Sequence, residues 1–199
     1  IPVKSLGFFD ANSAQGKQYI KAMHSAANFA FANRQMMAQL VRKNLRHYYG
    51  DIPIKLVYDV PHNMAKLERH NGQMLWVHRK GATRAYPAER MQGTPFSRIG
   101  QPVLIPGSMG TASYVLIGLP TAAESLFSVN HGAGRVMSRT AAAGKIRRRD
   151  GKVIKEGAIS DERFKESMSH VYLICEDKHA IKEEAPDAYK DIDVVIEIV

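Results

Sequence analysis

A helical pattern occupies the first quarter of the chain. Apolar residues recur at three- and four-residue steps from Tyr19 to Val41, the period of one face of an α-helix. This spacing predicts one long helix, or two consecutive helices, over residues 16–49. The run Gly50-Asp51-Ile52-Pro53 follows, and its glycine and proline predict a break in the chain.

Short alternating or wholly apolar segments, typical of β-strands, make up much of the remaining sequence. They lie at 54–58, 74–78, 101–105, 113–118, 170–174 and 194–199. Asn71-Gly72 predicts a hairpin turn before the second of these, with 64–69 helical or extended. Weaker helical patterns cover 121–127, 136–144 and 161–169. No linker divides the chain, so we expect residues 1–199 to belong to one domain.

Composition narrows the class of protein. Lys and Arg number 28 against 19 Asp and Glu, so the net charge of +9 favours polyanionic partners: RNA, DNA or phosphorylated small molecules. No apolar run reaches the roughly 18 residues of a membrane helix, so we expect no membrane partner. The lone Cys175 forms no internal disulfide and fits a reducing, cytoplasmic setting. The start at Ile1, without a leader, suggests part of a longer protein.

His131-Gly132-Ala133-Gly134-Arg135 is the first candidate site. Small residues let the backbone approach a ligand and turn N–H groups toward phosphate oxygens. A neutral imidazole is also a competent nucleophile toward phosphorus, and Arg135 could neutralise the phosphate. The alternative is a turn whose histidine merely caps the following helix.

Two further candidates come from residues 106–113 and from His62. The segment Pro106-Gly107-Ser108-Met109-Gly110 leaves a predicted strand and is rich in hydroxyls and glycine, so it fits a nucleotide cradle or a plain tight connection. His62 follows Asp59 at the end of a predicted strand, which suits a metal ligand or a structural histidine.

Basic segments supply a fourth candidate. Residues 78–84, a predicted loop with His78, Arg79, Lys80 and Arg84, form a candidate contact surface for a polyphosphate backbone or a solvated loop. Residues 145–152 read more readily as a solvated charged turn, with RNA contact as the alternative.

Four motifs in this order resemble the RtcB family of RNA ligases: Tyr58-Asp59-Val60-Pro61-His62-Asn63, the basic segment 78–85, Gly100-Gln101-Pro102 running into Pro106-Gly107-Ser108-Met109-Gly110, and His-Gly-Ala-Gly-Arg at 131–135. Segments 26–35 and 183–191 extend the resemblance over nearly the whole chain. It implies an α+β fold of stacked mixed or antiparallel sheets flanked by helices, present here as a partial fold.

The resemblance also implies a GTP- and Mn²⁺-dependent ligase that joins an RNA 3′-phosphate or 2′,3′-cyclic phosphate to a 5′-hydroxyl, as in tRNA splicing and RNA repair. His131 would be the guanylylated nucleophile and His62 a manganese ligand, with Asn63 a nucleotide contact. Further pocket residues are implied in two loops: Pro106, Gly107, Ser108, Met109 and Ser113, and Gly132, Ala133 and Gly134. RNA contact by Arg79, Lys80, Arg84 and Arg135 is our own inference.

The chain departs from the family pattern at the metal centre. The further Asp, Cys and His ligands lie on motifs such as Asp-x-Gly-x-Gly-Cys and Gly-Asn-His-Phe, which this sequence lacks, as it lacks a C-terminal tail with a guanine-contacting lysine. We therefore expect the C-terminal portion of a ligase without the N-terminal metal-binding half, inactive or weak alone. The alternatives are a non-catalytic, basic RNA-binding fragment and a histidine phosphatase.

Overall fold

The computed structural model describes residues 3–4, 7–147 and 149–199. The chain divides into two compact units, Ile1–Lys80 and Gly81–Val199. Each unit combines helix with antiparallel strand pairs, so the α+β class is confirmed. Within the described residues, no helix combines the length and the apolar character that crossing a membrane requires.

The first unit opens with α1, Ala14–Tyr49, so of the two alternatives that the apolar spacing left open the structure confirms one long helix. The hydroxyl of Ser13 caps its start by accepting from the amide of Gly16 at 3.0 Å. Gly50 ends it with φ +75°, a left-handed conformation that glycine adopts without strain. Residues 54–58 then run without regular structure, so the strand predicted there is wrong.

The hairpin of β1 (Asn63–His70) and β2 (Gln73–Lys80) completes the first unit. Asn71 and Gly72 form its turn with φ of +48° and +81°, the left-handed pair that the Asn-Gly signal predicts. Segment 64–69 is therefore extended. The predicted basic loop is also corrected, because residues 78–80 belong to β2 and Ala82–Arg84 form β3.

Three antiparallel strand pairs organise the second unit. The predicted strands at 101–105 and 113–118 are confirmed as a pair, and residues 106–113 connect them. A core cluster joins Ala85, Val103, Ile105, Ala133 and Ile192, and Tyr114, Leu116 and Val129 pack against it. The pairs are β3 (Ala82–Arg84) with β6 (Ser128–Asn130), β4 (Pro102–Ile105) with β5 (Tyr114–Ile117), and β7 (Gly144–Ile146) with β8 (Val153–Glu156).

The helices of the second unit are short. They are α2 (Arg139–Ala143), α3 (Asp161–Ser167) and α4 (Ile192–Ile198). The helices predicted at 136–144 and 161–169 are confirmed with shorter bounds, and the pattern at 121–127 becomes a 3₁₀ helix, Pro120–Ser125. The charged turn predicted at 145–152 includes the end of β7 and stops just before β8.

Two strand predictions in the second unit are wrong. Residues 170–174 adopt no strand, and most of them are exposed. Residues 194–199 fall largely within α4, where the Asp191 side chain accepts from the amide of Asp193 at 3.0 Å and starts the helix. Ile192, Val195 and Ile196 then share one helical face on the core cluster, so tertiary packing overrides their β preference.

Candidate active site

His131 lies directly after β6, in the second unit. Its amide donates to the carbonyl of Gly81 at 3.1 Å, which continues the β3–β6 pairing by one residue. The side-chain amide of Asn130 donates to the carbonyl of Gly132 at 2.9 Å and closes the turn behind it. The capping alternative for His131 is wrong, because Ser138 caps α2 by accepting from the amide of Ala141 at 3.1 Å.

The structure brings the two glycine-bearing loops together. The amide of Ala133 donates to the carbonyl of Pro106 at 3.1 Å, and Ala133 itself is buried in the core cluster. Gly132 has φ +148°, and a Cβ there would lie 3.1 Å from the same Pro106 carbonyl. A side chain at position 132 would therefore strain the backbone and crowd the Pro106 carbonyl that accepts from Ala133. Sequence reasoning proposed each loop separately, and the contact between them comes from the fold.

Loop 106–113 holds its own shape through hydroxyl groups. The amide of Ser108 donates to the Thr111 hydroxyl at 2.7 Å, and the amide of Gly107 donates to the Ser113 hydroxyl at 3.4 Å. Gly107 has no room for a side chain, since a Cβ would lie 2.2 Å from the carbonyl oxygen of Ala112. Met109 is half-buried. The loop is thus a preformed, hydroxyl-lined turn beside His131.

Arg135 anchors the histidine loop to the C-terminal part of the unit. Its guanidinium donates to the carbonyl of Met137 at 3.1 Å and to the Tyr189 hydroxyl at 2.9 Å, and it also bonds the carbonyl of Glu183. It pairs with the Glu184 carboxylate at 3.3 Å. These bonds commit the guanidinium within the chain, so the geometry does not fit the predicted phosphate or RNA contact.

Two partners of Arg135, Tyr189 and Glu184, have shifted pKa values. Burial raises the pKa of Tyr189, and its hydrogen bond to Glu184 adds to the effect. Burial works to raise the pKa of Glu184, but hydrogen bonds from Tyr189 and Arg139 and the charge of Arg135 outweigh it and lower that pKa. Sequence reasoning missed this cluster. Residues 183–191 belong to a resemblance motif, but nothing in it shows that they meet Arg135.

His62 lies in the first unit, just before β1, and is half-buried. Burial lowers its pKa, as do the charges of Arg34 and Lys80. Asn63 begins β1 opposite Lys80 and is exposed. A neutral imidazole is the form that binds metals. The two neighbouring cations, however, disfavour a metal ion.

The donors around His62 do not make up a metal site by themselves. Across residues 3–4, 7–147 and 149–199, no group of three or more His, Cys, Asp and Glu side chains is placed to hold an ion. The nearby Asp59 carboxylate instead accepts from Arg34 Nε at 2.8 Å. The residues present therefore do not fit a complete manganese site.

The three predicted RNA contacts Arg79, Lys80 and Arg84 differ in how far their side chains are exposed. Lys80 is exposed. Arg84 is half-buried, donates to the side-chain oxygen of Gln101 at 3.1 Å and covers the ring of Tyr86. The side chain of Arg79 is only 5% exposed and binds the Glu68 carboxylate with both terminal nitrogens. The RNA contact predicted for Arg79 is therefore wrong, because a buried, paired guanidinium has no free face for RNA.

A histidine in one glycine-bearing loop, joined by a hydrogen bond to a second such loop on an α+β scaffold, defines a candidate nucleotide site. Comparison with known proteins extends this to the whole chain. A model of the tRNA-splicing ligase RtcB family matches residues 1–199. The chain belongs to this family.

Curated relatives named tRNA-splicing ligase RtcB support the assignment. The Archaeoglobus fulgidus relative is 42% identical over 100% of this chain and 41% of its own length. The Pyrococcus furiosus relative is 42% identical over 100% of this chain and 20% of its own length. The Thermococcus kodakarensis relative is 41% identical over 100% of this chain and 41% of its own length. The chain thus spans between a fifth and about two-fifths of the length of these relatives.

Proposed function

We propose that this chain carries the nucleophile and nucleotide loops of a GTP- and Mn²⁺-dependent RNA ligase. The ligase joins RNA 3′-phosphate or 2′,3′-cyclic phosphate ends to 5′-hydroxyl ends through a histidine–GMP intermediate. The observation that carries the proposal is the bond from the Ala133 amide to the Pro106 carbonyl, because it fixes His131 beside loop 106–113. Family membership supplies the reaction class.

In the first step, an imidazole nitrogen of His131 attacks the α-phosphorus of GTP. A nitrogen–phosphorus bond forms, the bond to the bridging α–β oxygen breaks, and pyrophosphate leaves. The attacking nitrogen needs its lone pair, so the ring reacts in its neutral form. The amides of His131 and Ala133 are used to hold the loop, which leaves those of Gly132 and Gly134 to face phosphate oxygens.

In the second step, an oxygen of the RNA 3′-phosphate attacks the same phosphorus and releases His131. This transfer turns a poor leaving group into an activated diphosphate end. The RNA 5′-hydroxyl then attacks the RNA phosphorus, loses its proton, and displaces GMP. A 2′,3′-cyclic end takes up one water and opens to a 3′-phosphate before this sequence begins.

The chain's other pocket residues act by position. The hydroxyls of Ser108 and Ser113 sit in a turn that is already closed, so binding a nucleotide beside them costs little ordering. Manganese dependence is proposed from the family alone. His62 and Asn63 would need ligands beyond those described here, and we assign no chemical step to the metal.

The proposal is tested by covalent labelling. This chain is incubated with Mn²⁺ and α-labelled GTP, denatured, and examined by intact mass. The same assay is run on a chimera in which residues 1–199 replace the matching segment of the Archaeoglobus fulgidus relative. We expect one GMP on the chimera, lost in His131→Ala, because the proposed guanylate is bonded to the His131 ring.

The matched control is His170→Ala, an exposed histidine beside loop 106–113 whose ring nitrogen lies 3.1 Å from the Gly110 carbonyl. It should leave labelling in place. Label retained in His131→Ala would remove His131 from its role. A correctly folded chimera that binds RNA but never takes up GMP would favour the non-catalytic RNA-binding alternative.

A further inference from the structure

The β7–β8 hairpin places like charges directly opposite each other. Lys145 and Lys155 are paired in its antiparallel register, and both are exposed. Side chains at such positions lie close enough to interact, and like charges there destabilise the pair. The two ammonium groups therefore repel each other, and an anion bound between them would reduce this repulsion.

A cavity of about 360 Å³ lies beside this hairpin. Its charged lining combines three lysines and a histidine with two acids: Lys155, Lys178, His179, Lys182, Glu156 and Asp161. Lys182 is already neutralised, because its ammonium lies 2.9 Å from the Asp161 carboxylate. For Lys145, Lys155 and Lys178, no carboxylate among the described residues lies within ion-pair distance.

The turn of the hairpin adds further cations. Arg149 and Lys152 are exposed, while Arg147 is paired with Asp150 at 3.1 Å. We call Lys145, Arg149, Lys152, Lys155 and Lys178 the hairpin cation surface. It belongs to the same unit as His131. In the sequence, α2 lies between His131 and the hairpin. It is separate from loops 131–134 and 106–113.

We propose that the hairpin cation surface binds the backbone phosphates of an RNA strand outside the nucleotide pocket. Cationic groups on both strands and the turn of the hairpin, with Lys178 on the cavity beside it, suit a line of phosphodiesters better than a single compact anion. Neutralising them releases counterions from the RNA and gives salt-dependent affinity. The identity of the polyanion as RNA rests on the proposed function, whereas the phosphate recognition rests on this geometry alone.

The test measures binding of a short fluorescein-labelled single-stranded RNA with a 3′-phosphate, by anisotropy over a salt series. The variant is Lys145→Gln, Lys155→Gln and Lys178→Gln together. Its control is Lys17→Gln, Lys21→Gln and Lys43→Gln on α1, which removes the same charge from exposed lysines. We expect the hairpin variant to bind about 10-fold more weakly, with a salt slope smaller by about 2.

The control variant should change affinity by less than about 2-fold. Equal losses in both variants, or no loss in the hairpin variant, would overturn the proposal. Thermal melting without RNA separates binding from folding, because removing the Lys145 and Lys155 repulsion should leave the hairpin variant at least as stable as wild type. GMP labelling of the chimera is a separate readout, so failure of this surface and failure of the ligase assignment are distinguishable.

Discussion

Two arginine–carboxylate clusters, one in each unit, are built in opposite ways. In the hairpin of the first unit, Arg79 and Glu68 lie on adjacent strands, with His70 at 3.2 Å from the same carboxylate. All three side chains are almost fully buried. In the second unit, Arg135 reaches Glu184 and Tyr189 across more than forty residues of sequence, and the cluster remains partly open to water.

The contrast separates local from distant stabilisation. The buried pair comes from neighbouring strands and serves mainly the hairpin itself. The partly exposed pair ties the residues after His131 to the C-terminal segment, so it serves the site. Burial decides how far the free energy of unfolding falls when a pair is broken. A buried ion left without its partner costs several kcal/mol, whereas an exposed pair contributes about 1 kcal/mol or less.

Breaking the buried cluster should have the largest effect. Arg79→Met removes the guanidinium that pairs with the buried Glu68 carboxylate, and we expect the free energy of unfolding to fall by about 3–5 kcal/mol. Urea denaturation followed by circular dichroism measures it. The double variant Glu68→Met, Arg79→Met should recover much of this loss, because both charges of the pair are removed together.

The control for this cluster is Arg69→Met, which removes an exposed arginine next to Glu68 on β1. It should change the free energy of unfolding by no more than about 0.5 kcal/mol. A loss in Arg69→Met as large as in Arg79→Met would show that charge number, and not burial, sets the scale.

An intermediate effect is expected at the hairpin turn that aligns Glu68 with Arg79. Gly72→Ala places a side chain at φ +81° in open space, so the cost is backbone strain alone, about 1–2 kcal/mol. Thermal melting measures the loss. Asn71→Gly is the matched variant and should be nearly neutral, since glycine accepts the φ of +48° there. A larger loss in Asn71→Gly than in Gly72→Ala would contradict this account.

The smallest effect is expected in the partly exposed cluster of Arg135, Glu184 and Tyr189. Glu184 is 39% exposed at its side chain, so Glu184→Gln should lower the free energy of unfolding at neutral pH by only about 0.5–1 kcal/mol. The native pKa of Glu184 is lowered, so its contribution is complete above the ordinary value of 4.5 and is lost as the pH falls through the lowered pKa.

The gap between wild type and Glu184→Gln should therefore close in acid. Denaturation at a series of pH values measures it, with the exposed Glu124→Gln as control. A gap that stays constant down to acid pH would show that the carboxylate charge of Glu184 is not what stabilises the cluster.

The sequence predicted the elements whose causes are local. The long α1 follows from apolar spacing and the Ser13 cap, and the β1–β2 turn follows from Asn71-Gly72, the residues that tolerate its left-handed backbone. His131 and loop 106–113 were also found, since glycines beside a histidine and hydroxyls after a strand are visible as patterns.

The remaining features depend on contacts between distant residues. Nothing near Pro106 in the sequence shows that its carbonyl accepts from Ala133, or that Arg135 meets Tyr189. Arg79 was misplaced because its charge predicts exposure, while strand alternation turns it inward beside Glu68. Residues 54–58 have a strand pattern but no partner strand, and a strand without a partner does not form.

The C-terminal helix α4 has a further consequence for handling the protein. Val194, Val195, Ile196 and Ile198 are β-branched residues held in α4 by the Asp191 cap and by the packing of Val195 and Ile196 on the core cluster, and Val199 follows the helix. Such a segment, low in charge and free of proline, has the composition of an amyloid-forming strand. Ile198 is already 82% exposed. If α4 unfolds, this segment can therefore add to the edge strand of another chain, which makes it a candidate site of aggregation.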